Sequence, residues 1–112
     1  FDAQASAYRA KDWQACAAMY AEDGAVYSPF SPPAQGKAQV EDLYRRWTRS
    51  SDGQKRLIVT DVGQSGELAW CILRNPDGTG KATSLNLLQR QSDGSWKIRV
   101  CSINANDYDE DA

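Results

Sequence analysis

The sequence predicts an α+β fold in which N-terminal helices pack on a strongly curved, mostly antiparallel sheet. In the first half of the chain, apolar residues recur at the spacing of one helical face. From residue 57 onward the period changes to two, and the apolar runs are separated by short clusters of turn residues. Helices followed by strands are typical of α+β proteins. Because a wide sheet twists, the helices are expected to cover its concave face and bury their apolar residues there.

The first helix is predicted over residues 13–21, with Asp12 as its N-cap. Its apolar face consists of Trp13, Cys16, Ala17 and Tyr20. Gly24 is expected to end this helix in the left-handed conformation. Residues 1–10 also have a helical pattern, which favours a helix that begins before residue 1.

A short strand is predicted over residues 25–28, ended by Pro29. Two further prolines, Pro32 and Pro33, are expected to hold the following stretch out of regular structure. Helical periodicity then returns over residues 37–49, with an apolar stripe made of Val40, Leu43, Tyr44 and Trp47. On its solvent side, Glu41 with Arg45 and Asp42 with Arg46 have the spacing of ion pairs.

Four strands are predicted over residues 57–62, 67–74, 81–91 and 96–104, after a helix stop at residues 50–53. The gaps at residues 63–66, 75–78 and 92–95 carry turn chemistry. Such short gaps permit only antiparallel neighbours, so these strands form a meander, and the strand at residues 25–28 can add at an edge. The acidic residues 106–112 are expected to be a frayed end.

Composition limits the functions that this sequence supports. A chain of 112 residues fits one domain, and its net charge of −2 comes from interspersed charges, which argues against nucleic acid as a partner. Since no apolar run is long enough to span a membrane and no leader opens the chain, a cytoplasmic location is predicted. The three cysteines are far apart and odd in number, so they are interpreted as reduced, buried thiols. Histidine is absent, which removes the commonest general base and metal ligand, and neither a metal nor a cofactor is predicted.

Four local strings, in order along nearly the whole chain, resemble the nuclear transport factor 2-like superfamily, in particular its SnoaL-like branch, a distant relative of ketosteroid isomerases. They are KDW at residue 11 continuing to YAEDGAV at residue 20, PPAQGK at residue 32, SGELAW at residue 65, and RQSDGSWKI at residue 90. The resemblance implies a cone-shaped α+β barrel with a pocket open at one end, often in a homodimer formed through the outer sheet face. The strand at residues 81–91 is apolar on both faces, as expected if one face meets the helices and the other a partner subunit.

Strand alternation and the resemblance together predict the pocket residues. If Trp70 faces inward, then Ile72 and Arg74 share its face, and the resemblance adds Ser84, Asn86 and Leu88. Tyr20 and Tyr44 are expected to face them from the helices. The candidate binding residues are therefore Tyr20, Tyr44, Trp70, Asn86, Ser28 and Arg74, around a small hydrophobic molecule. The alternatives are that the aromatic residues are ordinary core, that Arg74 is exposed at the rim, and that the Asn86 amide is satisfied by a neighbour.

The sequence offers no complete catalytic set that matches a characterised relative. Asp61 interrupts an apolar run and is a candidate buried acid, with a solvent-facing edge position as the alternative. Ketosteroid isomerases use an aspartate as general base, and a second carboxylic acid and a tyrosine as oxyanion hole. By the resemblance, the positions of these three residues correspond here to Ser28, to Asn86 and to the region of Gln4. Since the residues differ, the isomerase mechanism is not carried over. The dehydratase type needs histidine, and the Asp-Arg-Asp set of the epoxide hydrolase type could not be reconstructed.

Three hypotheses therefore remain open at this point. The first is a small-molecule-binding protein without an identified catalytic set. The second is an isomerase, cyclase or hydrolase that acts on a hydrophobic substrate through a buried carboxylate such as Asp61. The third is an association module that dimerises through its sheet. A fold alone cannot choose among them.

Overall fold

The computed structural model describes residues 2–49, 56–76 and 81–105. Within them the chain forms three helices, α1 (Asp2–Arg9), α2 (Trp13–Ala18) and α3 (Lys37–Arg49). It also forms six strands, β1 (Tyr20–Ser28), β2 (Ser31–Gln35), β3 (Ile58–Ser65), β4 (Leu68–Asn75), β5 (Ala82–Arg90) and β6 (Trp96–Ala105). The predicted helix stop at residues 50–53, part of the turn at residues 75–78 and the predicted frayed end at residues 106–112 lie outside the described residues.

The strands form one strongly curled sheet in the order β2-β1-β6-β5-β4-β3, with the helices packed against it. All neighbouring pairs are antiparallel except β1 with β6, which is parallel. The α+β class and the four-strand meander are therefore confirmed. The strand around Val26 joins the meander beside β6, and β2 forms the edge beyond it. No helix in the described part of the chain is long and apolar enough to cross a membrane.

The junction between α2 and β1 differs from the prediction. Asp12 caps α2 as expected, because its carboxylate accepts a hydrogen bond from the Ala15 amide at 3.1 Å. The helix ends at Ala18 rather than near residue 21, since the Met19 carbonyl instead accepts a hydrogen bond from the Ile98 amide of β6 at 2.9 Å. Tyr20 therefore begins a strand. Of the residues predicted to form one helical face, Trp13, Cys16 and Ala17 belong to α2, whereas Tyr20 belongs to β1.

Gly24 lies inside β1 and does not end a helix, so that prediction is wrong. A Cβ atom at this position would lie 2.9 Å from the Ile98 carbonyl oxygen and 3.0 Å from the Ala21 carbonyl oxygen. The register between β1 and β6 shifts between Tyr20 and Ala25, so the backbone of Gly24 approaches its neighbours closely at this irregularity. Glycine is required here for space, not for a left-handed conformation.

Two segments predicted as turn or loop are strands. Pro32 and Pro33 lie in β2, which pairs with β1 through Val26 and Ala34. An edge strand tolerates proline because one of its sides needs no backbone donor. Similarly, residues 63–65 extend β3, and the turn to β4 occurs at Gly66, whose φ is +60°.

The core lies between the helices and the inner face of the sheet. The predicted α3 bounds are confirmed, and Val40, Leu43 and Tyr44 are buried while Trp47 packs partly buried against them. The other buried members of the core are Cys16, Ala17, Tyr20, Val26, Ala34, Ile98 and Cys101. The three cysteines are buried thiols that form no disulfide, as predicted. On the solvent side of α3 the carboxylate of Asp42 pairs with Arg45 at 2.7 Å and with Arg46 at 3.1 Å.

Candidate functional site

A narrow cavity lies between α1, α3 and the inner face of the sheet. Its volume is about 40 Å³, and together with the open space at its mouth it spans about 400 Å³. Since one water needs roughly 10–15 Å³ on this measure, the enclosed part has room for a few waters. The described residues that line it are Gln4, Tyr8, Tyr44, Trp47, Leu57, Leu73, Ser84, Asn86, Cys101 and Ile103.

Two tyrosines connect the helical wall of the cavity to the sheet. The hydroxyl of Tyr44, from the middle of α3, lies 2.8 Å from the hydroxyl of Tyr20, at the start of β1. Gln4 of α1 donates a longer hydrogen bond to the same Tyr44 oxygen, at 3.4 Å. Burial raises the pKa of both tyrosines well above the ordinary value, because the phenolate would lose its hydration. Both hydroxyls are therefore neutral hydrogen-bonding groups at physiological pH.

Asn86 and Ser84 form the polar part of the opposite wall. Asn86 is opposite Cys71 in the register of β4 and β5, and both residues are buried on the inner face. The Asn86 amide nitrogen donates to the Ser84 hydroxyl at 3.0 Å and, weakly, to the Cys71 carbonyl at 3.4 Å. In this orientation the amide nitrogen is directed toward Ser84 and the Cys71 carbonyl, and the amide oxygen is the other end of the group. The two side chains, two residues apart on β5, present polar atoms to the same cavity.

The remaining walls are aromatic and aliphatic. The Tyr8 and Tyr44 rings meet edge-to-face with centroids 6.2 Å apart, and the Tyr44 and Trp47 rings do so at 5.7 Å. Leu73 and Ile103 contribute from the sheet. A mostly apolar cavity with a few convergent polar groups is the usual composition of a small-molecule site.

The described lining residues include no charged side chain. These described residues offer hydrogen bonds from amides and from hydroxyls, and none of them carries a carboxylate or an amine. No group of three potential metal ligands occurs among residues 2–49, 56–76 and 81–105. The arrangement is suited to holding and orienting a molecule.

Of the sequence-predicted binding residues, Tyr44 and Asn86 line the cavity. Tyr20 lies behind Tyr44, is 1% exposed, and contacts it through the hydroxyl pair. The inward position expected for Ser84 is confirmed. The Asn86 side-chain nitrogen donates a hydrogen bond to its neighbour Ser84, so the alternative of an amide satisfied by a neighbour holds for that atom.

The inward positions predicted for Trp70 and Arg74 are wrong. The inner face of β4 consists of the buried residues Cys71, Leu73 and Asn75, so alternation places Trp70, Ile72 and Arg74 on the outer face. Trp70 is 40% exposed, and its indole ring lies over Gly63 of β3, where an added Cβ would overlap the ring. Glycine leaves the space that the indole fills, which stabilises this outward orientation. The exposed alternative for Arg74 is confirmed.

Asp61 and Ser28 also lie away from the cavity. Asp61 is exposed on β3, the edge strand of the sheet, so the buried-acid prediction is wrong and the solvent-facing alternative is confirmed. Ser28 ends β1, where its hydroxyl oxygen accepts a hydrogen bond from the Phe30 amide at 3.0 Å. That contact stabilises the turn between β1 and β2.

Several lining residues were not predicted as site residues. Cys101 lies opposite Asn86 in the register of β5 with β6. A correct prediction of this strand pairing would therefore have identified Cys101 as a lining residue. Tyr8 and Gln4 come from α1, whose position over the cavity depends on long-range packing.

A second, larger depression of about 420 Å³ lies outside, between β2 and α3, bordered by Pro32, Pro33 and Arg46 among others. It is open to solvent and has none of the buried polar groups that converge on the inner cavity.

Comparison with known proteins shows both the family and the fold. A family model described as a SnoaL-like domain matches residues 1–103. A ketosteroid isomerase-like protein from Erwinia carotovora atroseptica is similar in structure, with a TM-score of 0.80 and 22% identity over 96% of this chain and 91% of that chain. Among curated proteins, none matches the chain significantly.

Two further solved structures are similar. One is a protein assigned as a calcium/calmodulin-dependent protein kinase type II association domain from Thiobacillus denitrificans, with a TM-score of 0.75 and 17% identity over 93% of this chain and 90% of that chain. The other is an NTF2-like protein with a cystatin-like fold from Novosphingobium aromaticivorans, with a TM-score of 0.76 and 16% identity over 97% of this chain and 79% of that chain. At these identities the likeness shows the fold alone.

Proposed function

Since this chain belongs to the SnoaL-like domain family, we propose that it binds a small, largely apolar molecule in the cavity between its helices and the inner face of its sheet. The observation that carries this proposal is the convergence of Tyr44, Ser84 and Asn86 on one cavity whose other walls are apolar. Buried polar groups usually satisfy one another in a core. Here Tyr44, Ser84 and Asn86 each have a hydrogen-bond partner in the protein and also line a cavity.

The size of the cavity decides how binding would proceed. An enclosed volume of about 40 Å³ is well below the roughly 150 Å³ of an engineered cavity that admits benzene. A ring-containing ligand therefore enters only if side chains at the mouth move. Tyr8 and Trp47 are only partly buried, and they are the side chains expected to rotate outward.

Binding without catalysis is favoured over an enzymatic role. The carboxylate candidate from the sequence, Asp61, is exposed on the edge strand, and the described lining residues include no carboxylate and no amine. The position that matches the isomerase general base holds Ser28, whose hydroxyl supports a turn. Among the described lining residues, the polar side chains are therefore suited to positioning a ligand.

The experiment that tests the proposed function is a crystal structure of the protein purified without added ligand. Electron density in the cavity, within hydrogen-bond distance of Tyr44 or Asn86, is the expected result. A closed cavity in which Tyr8 and Trp47 fill the mouth, unchanged after soaking with small ring compounds, would count against binding.

We also propose that the chain forms a homodimer through the outer face of its sheet. Three large apolar residues on that face, Leu68, Trp70 and Leu85, are 40–50% exposed. Exposed apolar residues grouped on one face favour association, and the similar structure from Thiobacillus denitrificans is assigned as an association domain. We propose a cytoplasmic location, which suits three thiols that form no disulfide, and a single domain over the whole chain.

A further inference from the structure

We propose that the ligand is an uncharged alcohol or phenol, whose hydroxyl group binds between Asn86 and Ser84 while its hydrocarbon part lies against the aromatic wall. This inference rests on the proposed function, because it names the chemical class that the same cavity would take. It depends on three features of the described residues: one unused acceptor, one unused donor, and the lack of any charge.

The unused acceptor is the side-chain oxygen of Asn86. Both hydrogen bonds of this side chain are made by its nitrogen, and no described residue donates to the oxygen. Asn86 is only 2% exposed. Yet the only fully buried side-chain oxygen or nitrogen without a partner among the described residues is the Ser31 hydroxyl. The Asn86 oxygen is therefore not fully enclosed by protein, which favours the cavity that Asn86 lines as the space it adjoins.

The unused donor is the hydroxyl of Ser84. Its oxygen accepts the 3.0 Å hydrogen bond from Asn86, which leaves its hydrogen without an acceptor among the described side chains and carbonyls. Ser84 lines the same cavity. An acceptor from Asn86 and a donor from Ser84 therefore stand two residues apart on one strand. A ligand hydroxyl matches this pair, because one oxygen can donate to Asn86 and accept from Ser84.

The lack of charge restricts the ligand further. The described lining residues provide no ionised side chain that could pair with a charged ligand, and Tyr44, whose pKa is raised by burial, stays protonated. An ion that enters such a site would lose its hydration without compensation. A carboxylate is therefore expected to be rejected, even when its hydrocarbon part is the same as that of an accepted alcohol.

The test compares three probes of similar shape, namely benzyl alcohol, benzyl methyl ether and benzoate, by amide NMR titration of the whole chain. We expect benzyl alcohol to bind roughly three- to tenfold more tightly than the ether, which can accept a hydrogen bond but not donate one. Benzoate is expected to bind at least tenfold more weakly than the alcohol. In Asn86→Leu and in Ser84→Ala the preference for the alcohol should fall to about one. Ser102→Ala is the matched control, since Ser102 faces outward opposite Leu85 and should leave the preference intact.

The outcomes separate this inference from the proposed function. If alcohol and ether shift the cavity residues with equal affinity, or if benzoate binds as tightly as the alcohol, the hydroxyl assignment is overturned while binding in the cavity stands. If none of the three probes shifts any cavity residue up to its solubility, both the assignment and the proposed function are overturned. Ser84→Ala keeps the test decisive if Asn86→Leu fails to fold, because it removes one small hydroxyl from a partly exposed position.

Discussion

The hydroxyl oxygens of Tyr20 and Tyr44 lie 2.8 Å apart, and this contact joins the first residue of β1 to the middle of α3. Tyr20 is buried beneath the helices, whereas Tyr44 also reaches the cavity. The pair therefore fixes the helical wall of the site relative to the sheet, so the stability of the fold and the shape of the cavity depend on the same hydrogen bond.

Removing the tyrosine pair tests this coupling. Tyr44→Phe and Tyr20→Phe are each expected to lower the free energy of unfolding by roughly 1–2 kcal/mol, because a buried hydrogen bond is lost and its partner is left unsatisfied. Urea unfolding followed by tryptophan fluorescence measures this. The double variant is expected to lose less than the sum, with a coupling of about 0.5–1.5 kcal/mol. Tyr27→Phe, on an exposed part of β1, is the control, and strict additivity would contradict a direct contact.

The same pair predicts how stability depends on alkaline pH. Burial holds the folded-state pKa of both tyrosines well above the unfolded value of about 10. The stability that the neutral hydroxyls contribute is therefore complete below pH 10 and is lost as the pH rises from 10 through the folded-state pKa. Urea midpoints measured between pH 8 and 11.5 should fall above pH 10. The fall should be shallower in the double phenylalanine variant, and an identical slope in both chains would contradict this prediction.

Gly24 is expected to be intolerant of a side chain. Gly24→Ala places a Cβ within 3.0 Å of two backbone carbonyl oxygens, at Ile98 and Ala21, so the β1 and β6 backbones must separate. We expect a loss of roughly 1–3 kcal/mol in the free energy of unfolding, as for an overpacked core. Thermal unfolding of the variant measures this loss. A variant as stable as the natural chain would show that the irregularity in β1 relaxes freely.

The outer face of the sheet can be tested by its effect on association. Leu85→Glu puts a charge on a half-exposed position of β5 and is expected to convert a dimer to a monomer in sedimentation equilibrium, without unfolding it. Val62→Glu is the matched control, because Val62 is 65% exposed and lies on the opposite face of the sheet, beside Cys71. A natural chain that is monomeric at high concentration would contradict the proposed dimer.

The sequence predicted the elements whose signals are local. The apolar stripe of α3 predicted the bounds of this helix without help from distant residues. The turn residues before β5 and β6 likewise place those strands to within one residue. The start of β1 is different, because its local pattern suits a helix equally well. A hydrogen bond from Ile98, nearly eighty residues away, decides it.

The candidate site was predicted in part for the same reason. Tyr44 and Asn86 could be found from a helical stripe and from an amide between leucines in a buried strand. The face on which Trp70 lies depends on the pairing of β4 with β3, where Gly63 makes room for the indole. A shift of one residue moves every side chain of a strand to the other face of the sheet. The assumption that Trp70 faces inward therefore also placed Arg74 on the wrong face.

The most direct test of the central claim, an enterable cavity between helices and sheet, is the rate at which a small uncharged thiol reagent modifies Cys101. This cysteine lines the cavity, whereas Cys16 is fully buried in the helical core and serves as the internal control. We expect methyl methanethiosulfonate to modify Cys101 well ahead of Cys16 under native conditions, as measured by peptide mass spectrometry over time. Equal rates for the two thiols, rising together with urea, would mean that Cys101 is reached only by unfolding and would contradict the claim.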